Sequence, residues 1–493
     1  MKNSTMKKLL IALCSVLFLC SCAEQPTKPK HEFRFNEDGK FKIAQLTDIH
    51  IHPGDPKSNP VPDTILAVLA KEKPDLVIMT GDIVTRKPAV DGWRTIMDMM
   101  KKANIPYVVT MGNHDPEAMS RDSIYGLLLT DPLYAGEKGP EELSGVGNCI
   151  LPILASDGSS QVKSVIYCMD SGDYPDIEGN GAYDWLKWDQ IAWYRQHSQA
   201  YTDLNGGQPI PSLAFFHIAV PEYRNVNHEN KNAYGCDKEG AGVGAPEVNS
   251  GFLLACLEMG DMMGMFVGHD HDNDYIGLQN GIALAYGRVS GFNAYGDLTR
   301  GARIVELTEG KRQFDTWIST PQGTELLYLY PWGITGEDLK REYLPAKDVK
   351  PTQQGVAYTY YEGNYKKMSD VPSAGKKVDE GIKENFLVKD APTKDHFAYE
   401  FNAYLQIPEK EIYFFKMASD DGAQLYIDGQ LVVDNANNHS MSVWNKGQVS
   451  LEKGYHEVRV MYYENYMGED LQITIGSRKM EEQRIPNQML FVP

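Results

Sequence analysis

From about residue 41 to residue 307 the chain repeats one unit, a short apolar run followed by an amphipathic helical stretch. Each parallel strand needs a crossover to reach the next one, and a helix usually supplies it. The repeat therefore predicts an α/β layered domain with a largely parallel or mixed sheet. The predicted strands are 41–47, 75–80, 105–111, 164–169, 211–216, 263–267 and 282–286, and the predicted helices are 64–72, 93–103, 185–201 and 252–259.

Five of these strands end in side chains that bind metals in proteins. The carboxyl ends of parallel strands meet at one edge of a sheet, so side chains that follow them converge. Any one of these residues has an ordinary explanation as a turn residue or a structural histidine. All five strand ends together favour a shared metal site. The candidate ligands are Asp48, His50, Asp82, Asn113, His217, His269 and His271.

The strand end at 112–115 reads Gly-Asn-His-Asp. Glycine allows a sharp turn, and three polar side chains then follow the strand. Asn113 offers a neutral oxygen ligand, His114 can bind a metal or carry a proton, and Asp115 offers a carboxylate that can orient the histidine. This stretch therefore supplies candidates for catalysis as well as for metal binding.

Composition limits the partners. The 493 residues include 67 acidic and 48 basic side chains, which gives a net charge of -19. Nonspecific binding to nucleic acid needs a basic surface, so no nucleic-acid partner is expected. A small anionic substrate is compatible with this charge, because bound cations can invert the local field. The length predicts two or more domains.

The N-terminus has the features of an export signal. Lys2, Lys7 and Lys8 make a positive start, and residues 9–19 form an apolar core. That core is too short for a comfortable bilayer span, so a signal peptide is the better interpretation than a membrane helix. The mature protein is therefore expected outside the cytoplasm.

A cysteine at the end of the signal predicts a lipid anchor. Cys22 is followed by a polar, proline-containing stretch, and the arrangement resembles a bacterial lipoprotein signal. This predicts a signal peptide over 1–22, lipidation of Cys22 and a linker over 23–40, with Cys20 or an ordinary cleaved signal as the alternatives. The expected location is periplasmic or at the cell surface, with the membrane reached only through the lipid.

The order of these motifs resembles a known family. Asp48-x-His50, Gly81-Asp82, the Gly-Asn-His-Asp stretch, His217 and Gly268-His269-x-His271 occur as in the calcineurin-like metallophosphoesterases, over about residues 41–310. Segments at 170–174, 216–223, 248–252 and 294–296 are similar to the purple-acid-phosphatase-like branch. The resemblance implies a four-layer α/β/β/α metallophosphoesterase sandwich.

The resemblance also implies a two-metal site. Asp48, His50, Asp82 and His271 would hold one divalent cation, and Asp82, Asn113, His217 and His269 would hold the other, with Asp82 as the bridge. Two such cations about 3.5–4 Å apart lower the pKa of a bridging water for in-line attack on phosphorus and clamp the phosphoryl oxygens. The nitrogen and oxygen ligands suit Mn, Fe, Zn or Co. No tyrosine closely follows Asp82, so the iron–tyrosinate pair of true purple acid phosphatases is not expected.

Three further residues receive roles beside the metals. The resemblance makes His114 the group that stabilises the phosphoryl group or protonates the leaving oxygen, and Asp115 the group that orients it. Arg288 follows a predicted strand near the pocket and can bind phosphate. A structural ion pair is the alternative for this arginine.

The chain changes character beyond residue 310. Prolines punctuate a connecting region over 311–353, and 354–493 has short aromatic strands and tight turns that predict an all-β sandwich. Residues 355–363 and 414–435 resemble the β-sandwich of anthrax protective antigen and yeast adhesins. Some members bind sugar through calcium held by paired aspartates, a pair that Asp420 and Asp421 match. A plain hairpin corner is the alternative.

These observations support two classes of function. The first is an exported dimetal hydrolase of phosphoric esters, acting on phosphomonoesters, with an accessory carbohydrate- or surface-binding module; a phosphodiesterase with the same site is its variant. The second is a glycan-binding surface lipoprotein with a silent hydrolase fold. The ligand set is intact, which favours the enzyme.

Overall fold

The structure is a computed structural model that describes residues 31–238 and 242–493. The chain divides into two compact units, one ending at Leu326 and the other running from Leu327 to Pro493. The boundary lies inside the expected connecting region. The expected signal peptide, the lipidation site Cys22 and residues 23–30 of the expected linker lie outside the described residues. The rest of the expected linker is described, and its residues Phe33–Arg34 form a strand. No helix in the described ranges is long and apolar enough to cross a bilayer.

The first unit contains all six α-helices of the described residues and the thirteen strands β1 to β13. The helices are α1 Val61–Glu72, α2 Ala89–Ala103, α3 Asp115–Ala118, α4 Arg121–Leu128, α5 Trp188–Leu204 and α6 Phe252–Met259. The strands are β1 Phe33–Arg34, β2 Lys40–Leu46, β3 Leu76–Thr80, β4 Tyr107–Thr110, β5 Cys149–Leu154, β6 Val162–Cys168, β7 Ser212–Phe215, β8 Ala233–Tyr234, β9 Met262–Val267, β10 Ile276–Gln279, β11 Ile282–Tyr286, β12 Ala302–Thr308 and β13 Phe314–Thr320.

Two sheets form the centre of this unit. One has the strand order β1-β5-β6-β7-β9-β11-β10-β8, with β6, β7, β9 and β11 parallel to one another. The other contains β13-β12-β2-β3-β4, with β2, β3 and β4 parallel. Five of these seven parallel strands are the ones to which the sequence assigned metal ligands, namely β2, β3, β4, β7 and β9.

Helices cover the outer face of each sheet. Trp93 of α2 is buried in one apolar core with Leu46 and Met79 of the β2–β4 sheet. Tyr194 of α5 is buried in another with Met265 of β9. Side chains alternate between the two faces of a strand. The residues next in sequence to Leu46, Met79 and Met265 therefore point inward, between the two sheets.

Contacts between the inner faces join the two sheets. The ring of Phe266 stacks on Phe215 and lies 5.7 Å from the ring of Phe314 on β13. The side chain of Gln45 on β2 donates a hydrogen bond of 3.0 Å to the carbonyl of Val267 on β9. The first unit is therefore an α/β/β/α sandwich, as expected.

Part of the expected connecting region is regular structure instead. Residues 314–320 form β13, which pairs antiparallel with β12 from Phe314 to Ser319. The alternating buried and half-buried pattern of this strand is an ordinary sheet pattern, and the prolines lie outside it. The chain then passes along β14 Gly323–Tyr330 into the second unit.

The second unit is an all-β sandwich. Its remaining strands are β15 Ile334–Thr335, β16 Val356–Gly363, β17 Gly375–Lys383, β18 Phe397–Ile407, β19 Glu411–Asp420, β20 Gly422–Ile427, β21 Gln430–Asn435, β22 Trp444–Leu451, β23 Gly454–Glu464, β24 Asp470–Gly476, β25 Gln483–Arg484 and β26 Leu490–Phe491. One sheet has the order β17-β16-β18-β23-β20-β21, and the other has β22-β19-β24-β25. Phe401 and Leu425 of the first sheet share a buried core with Phe415 and Ile475 of the second.

Candidate functional site

The seven candidate metal ligands all follow the carboxyl ends of parallel strands. The sheet of β2, β3 and β4 supplies four of them, and β7 and β9 of the other sheet supply three. All seven side chains are buried. Atoms of the ligands from both sheets approach one another, so the site lies where the strand ends of the two sheets meet. The residues are Asp48 and His50 after β2, Asp82 after β3, Asn113 after β4, His217 after β7, and His269 and His271 after β9.

Four of the ligands have an unusual backbone conformation. The φ angles are 52° at Asp48, 45° at His50, 53° at Asp82 and 80° at His269. Left-handed backbone is unfavourable for residues with a Cβ, and it persists where the surroundings over-determine it. Such positions cluster at functional sites. The turns after β2, β3 and β9 are therefore held in place to direct their ligands.

Two glycines in the motifs make room for ligands. A Cβ at Gly112 would overlap the Asp82 carboxylate, and a Cβ at Gly268 would overlap Thr47 and lie 2.8 Å from Asp48 Oδ2. The sequence suggested that Gly112 serves a sharp turn. The structure shows close approach instead, because the carboxylate of a ligand occupies the space of the missing side chain.

The first metal group is tightly gathered. Asp48, His50, Asp82 and His271 each present one ligand atom, and these atoms lie within 4.8 Å of one another. Nε2 of His271 lies 3.2 Å from Nε2 of His50 and 3.4 Å from Oδ1 of Asp48, and Nε2 of His50 lies 3.6 Å from Oδ2 of Asp82. This set matches the first ligand group expected from the sequence.

The second group shares Asp82 with the first. Nε2 of His217 lies 3.5 Å from Oδ2 of Asp82 and 3.2 Å from Oδ1 of Asn113. The ring of His269 lies 5.2 Å from the ring of His217. Since the same Asp82 oxygen lies near His50 and near His217, this carboxylate is placed to bridge two cations.

Electrostatics at the cluster suit cations. Burial lowers the pKa of His50 to about 4 and that of His269 to about 3, so both rings are neutral and can bind a metal. Burial opposes the charged form of His217, but Asp82 and Asp48 outweigh it and raise its pKa to about 10. Because Asp82 and Asp48 attract a proton to the ring of His217, they would also attract a metal ion to its place. The donor set therefore fits a pair of divalent transition-metal ions.

Neighbouring groups fix the orientation of two histidine ligands. Nδ1 of His217 donates to the carbonyl of Thr80 at 2.8 Å, which leaves Nε2 for the metal side. Nδ1 of His50 lies 3.0 Å from the hydroxyl of Thr85, which also lies 3.0 Å from Nε2 of His52. Thr85 and His52 thus support the site.

His114 occupies a different position from the ligands. Its side chain is 40% exposed, whereas the metal ligands are buried. Its backbone N–H donates to Oδ1 of Asp82 at 2.9 Å, and its ring lies 6.1 Å from the ring of His50. The residue is therefore accessible to a ligand at the mouth of the metal site, which fits the expected catalytic role.

Asp115 does not orient His114, contrary to the expectation. Its carboxylate accepts backbone hydrogen bonds of 2.8 to 3.0 Å from Asp82, Ile83, Val84 and Gly112. Asp115 begins helix α3, and from there its buried side chain reaches back to the turns after β3 and β4. Asp115 thus fixes the turn that carries Asp82. Glu117 instead contacts His114, with Oε1 lying 2.9 Å from Nδ1.

Arg288 is engaged in a buried network. Its guanidinium donates to Asp274, to Glu325 at 2.7 Å and to the carbonyl of Thr299 at 2.8 Å. The side chain is 3% exposed. These contacts favour the structural ion pair over the phosphate contact.

Three tyrosines around the metal site were missed as functional residues. The hydroxyl of Tyr174 accepts a hydrogen bond of 3.2 Å from Nδ2 of Asn113. The ring of Tyr295 stacks on His271 with centroids 4.0 Å apart, and the ring of Tyr183 lies 4.4 Å from that of His269. The family-like segments 170–174 and 294–296 contained two of these tyrosines and were the available signal.

The second unit has a cluster of carboxylates of its own. Asp420, Asp421 and Glu464 present oxygens within 4.8 Å of one another, and the Asp420–Asp421 peptide is cis. Pairing of Gly422 with Tyr463 brings the β19–β20 turn beside the end of β23. The paired aspartates expected from the sequence therefore have a third acidic partner, Glu464.

This cluster has the chemistry of a calcium site. Burial and the nearby charges of Asp421 and Asp420 raise the pKa of Glu464 to about 8. Oε1 of Glu464 and Oδ1 of Asn465 are buried without a hydrogen-bond partner. Calcium prefers such oxygen ligands and would offset the repulsion among the carboxylates. The residues present therefore fit a hard cation, and a plain hairpin corner does not explain the two unsatisfied oxygens.

Family models match both units. The calcineurin-like phosphoesterase model matches residues 41–273, and the PA14 domain model matches residues 352–487. The second match shows the PA14 family and no narrower type within it.

Relatives in sequence agree with the first match. Probable inactive purple acid phosphatase 29 of Arabidopsis thaliana is 33% identical over 333 residues, which cover 61% of this chain and 85% of that protein. Phosphatase DCR2 of Saccharomyces cerevisiae is 29% identical, over 57% of this chain and 54% of that protein. The solved dimetal phosphatase from Danio rerio superposes with a TM-score of 0.40 and 13% identity, covering 59% of this chain and 99% of that one.

The motif order, the two-sheet sandwich and the shared cluster at the strand ends thus agree with the relatives in sequence. The chain belongs to the calcineurin-like phosphoesterase family: it is a metal-dependent phosphoesterase with purple-acid-phosphatase-like relatives and a C-terminal PA14 domain.

Proposed function

We propose that this protein is an exported phosphomonoesterase. One observation carries the proposal: all seven ligand side chains reach one buried site, and the bridging residue Asp82 is present. The Arabidopsis relative is named probably inactive, and the yeast relative is named a phosphatase. For this chain the intact ligand set supports activity.

The charge of the ligand set supports an anionic ester as the substrate. The ligand set contains two carboxylates, Asp48 and Asp82, while the remaining ligands are imidazoles and one amide. Two divalent cations in this set would leave an excess of two positive charges, or of one when the attacking hydroxide is counted. Phosphate monoesters and diesters are both anions that this charge would attract, so the comparison of the two substrates decides between them.

The residues of the chain have distinct tasks in the proposed reaction. When bound, the metal pair supplies Lewis acidity toward the phosphoryl oxygens and lowers the pKa of water. Asp82 holds the two halves of the site together, and Asp115 fixes the turn that presents it. His114, at the exposed mouth, gives a proton to the leaving oxygen.

The test compares two substrates on one enzyme. We would measure kcat/KM for 4-nitrophenyl phosphate and for bis(4-nitrophenyl) phosphate after reconstitution with Mn or Zn. A monoester-to-diester ratio well above one supports the proposal. A ratio well below one makes the protein a phosphodiesterase, and no turnover of either ester with both metals bound favours a binding role.

We further propose that the PA14 domain binds carbohydrate through calcium. The cluster of Asp420, Asp421 and Glu464, with the unsatisfied oxygen of Asn465, supports this assignment. Binding to a panel of immobilised glycans should appear with Ca²⁺, vanish with a calcium chelator and vanish in Asp421→Asn. Glycan binding that is indifferent to calcium would contradict the proposal.

Export as a lipoprotein is part of the same proposal. Its support is the N-terminal sequence alone, with Lys2, Lys7 and Lys8 before the apolar core and Cys22 after it. Cells grown with a radiolabelled fatty acid should label the wild-type protein and not Cys22→Ser. Equal labelling of both proteins would shift the anchor to Cys20, and no labelling of either would indicate a plain secreted enzyme.

A further inference from the structure

Glu117 contacts the proposed proton donor from one turn along the chain. Helix α3 begins at Asp115, directly after His114, and this brings residues 114 and 117 to the same face. Oε1 of Glu117 lies 2.9 Å from Nδ1 of His114. Because this carboxylate engages Nδ1, the other ring nitrogen, Nε2, is left to carry the proton that is transferred.

A second element supports this contact. Tyr174, in the loop after β6, donates from its hydroxyl to Oε1 of Glu117 at 3.4 Å. The same hydroxyl accepts from Nδ2 of Asn113 at 3.2 Å. The chain Asn113–Tyr174–Glu117–His114 therefore connects a metal ligand to the proton donor through side chains alone.

This arrangement differs from a simple pair of charges on a helix surface. Exposed pairs at this spacing contribute little, and Asp91 with Arg94 on α2, 3.5 Å apart, is such a pair in this chain. The His114–Glu117 pair has in addition a contact from a distant loop and a metal ligand as its neighbour. Asp115, which the sequence favoured for this task, is fully used by backbone N–H groups.

We propose that Glu117 is the positioning residue for His114 and that Tyr174 holds Glu117 in place. The inference rests on the proposed function, because it deepens the role of His114 in ester cleavage. Glu117 accepts a hydrogen bond from Nδ1 of His114 and fixes the ring, so that in the protonated ring Nε2 delivers its proton to the leaving oxygen. As the P–O bond breaks, the histidine becomes the neutral ring with its proton on Nδ1.

A leaving-group comparison tests this role. A nitrophenolate leaves without much help from an acid, whereas an alkoxide needs a proton, so loss of the positioned acid must show on alkyl esters. In Glu117→Ala we expect kcat for glycerol phosphate to fall by about 10–100-fold, the range for removal of an orienting partner. We expect a much smaller fall for 4-nitrophenyl phosphate, and Tyr174→Phe should show the same pattern more weakly.

Two controls make the result specific. Glu258, on α6, pairs with Arg195 at the surface. Glu258→Gln removes the same charge as Glu117→Ala, but it should not lower kcat for glycerol phosphate more than kcat for 4-nitrophenyl phosphate. In the background of His114→Ala, Glu117→Ala should cost nothing further on either ester, because the two residues act as one group. Equal losses on both esters, or additive losses in the double variant, would overturn the inference.

An independent readout uses the Zn²⁺-loaded protein without substrate. Nitrogen-15 NMR of labelled histidine reports which ring nitrogen carries the proton. At a pH where the ring is neutral, His114 should have its proton on Nδ1 in the wild type and shift toward Nε2 in Glu117→Ala. An unchanged tautomer would refute the positioning role. If the wild type hydrolysed no ester, the proposed function would fail, and the NMR result would still decide the contact of Glu117 with His114.

Discussion

The two clusters of acidic and ligand side chains in this chain follow opposite designs. The cluster in the first unit draws nitrogen and oxygen ligands from the ends of five strands in two sheets, and all of them are buried. The cluster in the second unit is all oxygen and comes from one strand turn, at Asp420 and Asp421, and one neighbouring strand end, at Glu464. Asp420 remains half-buried.

The difference explains what each cluster can do. Mixed imidazole and carboxylate ligands select transition metals, whereas oxygen ligands select calcium. A shared carboxylate supports two cations and hence chemistry at phosphorus. Three carboxylates around a single cation could hold a ligand but would supply no second cation to activate water. The first cluster therefore supports catalysis and the second supports binding.

The largest effect is expected at the bridge between the two metal groups. Asp82→Asn removes the charge that both groups share, so the chain should lose metal and turnover should fall by about 10³-fold or more. Metal content by mass spectrometry and kcat on 4-nitrophenyl phosphate measure this. Asp98→Asn, an exposed position on α2, is the matched control. Full metal content in Asp82→Asn would end the bridging assignment.

Removal of the exposed histidine separates metal binding from proton transfer. His114→Ala should retain both metals, because its ring is not among the gathered ligand atoms. Its turnover should fall by about 10²-fold or more, the range that general acid catalysis supplies. Normal turnover with full metal content would remove the catalytic role from His114.

A neighbour of the ligands should have a smaller effect. Thr85→Val removes the hydroxyl that lies 3.0 Å from Nδ1 of His50. Loss of such an orienting partner weakens metal binding by about 10–100-fold. Metal titration of Thr85→Val and of Thr95→Val, an exposed control on α2, should show the difference. Equal affinities would show that His50 needs no support from this hydroxyl.

The smallest effect is expected in the PA14 domain. Calcium at a hundred times its dissociation constant should stabilise this domain by about 2.7 kcal/mol. Thermal unfolding should therefore shift upward with calcium in the wild type and not in Asp421→Asn. Asp434→Asn, at an exposed position of β21, should keep the shift. A shift that persists in Asp421→Asn would place calcium elsewhere.

The sequence predicted most of the first cluster for a physical reason. A strand and the turn that follows it are local, and parallel strands bring their ends together without further information. For this reason Asp48, Asp82, His217 and His271 could be assigned before any coordinates. The strained backbone of four ligands and the close approach at Gly112 depend on tertiary contacts, so the sequence alone could not predict them.

The errors came from contacts that the pattern does not encode. The side chain of Asp115 turns toward the backbone because α3 begins at this residue. The same start of the helix places Glu117 in contact with His114. For Arg288 the sequence left a phosphate contact and a structural ion pair open, and its partners Asp274 and Glu325 favour the ion pair. Glu464 lies more than forty residues from Asp421 and joins it only through the pairing of β20 with β23.

The most direct test of the two-metal account is a titration of metal-free protein with Mn²⁺, with bound metal and hydrolysis of 4-nitrophenyl phosphate followed together. The account predicts that turnover rises until two ions are bound per chain and that Asp82→Asn abolishes the rise. Full turnover in the chelated, metal-free protein, or saturation with a single ion, would contradict it.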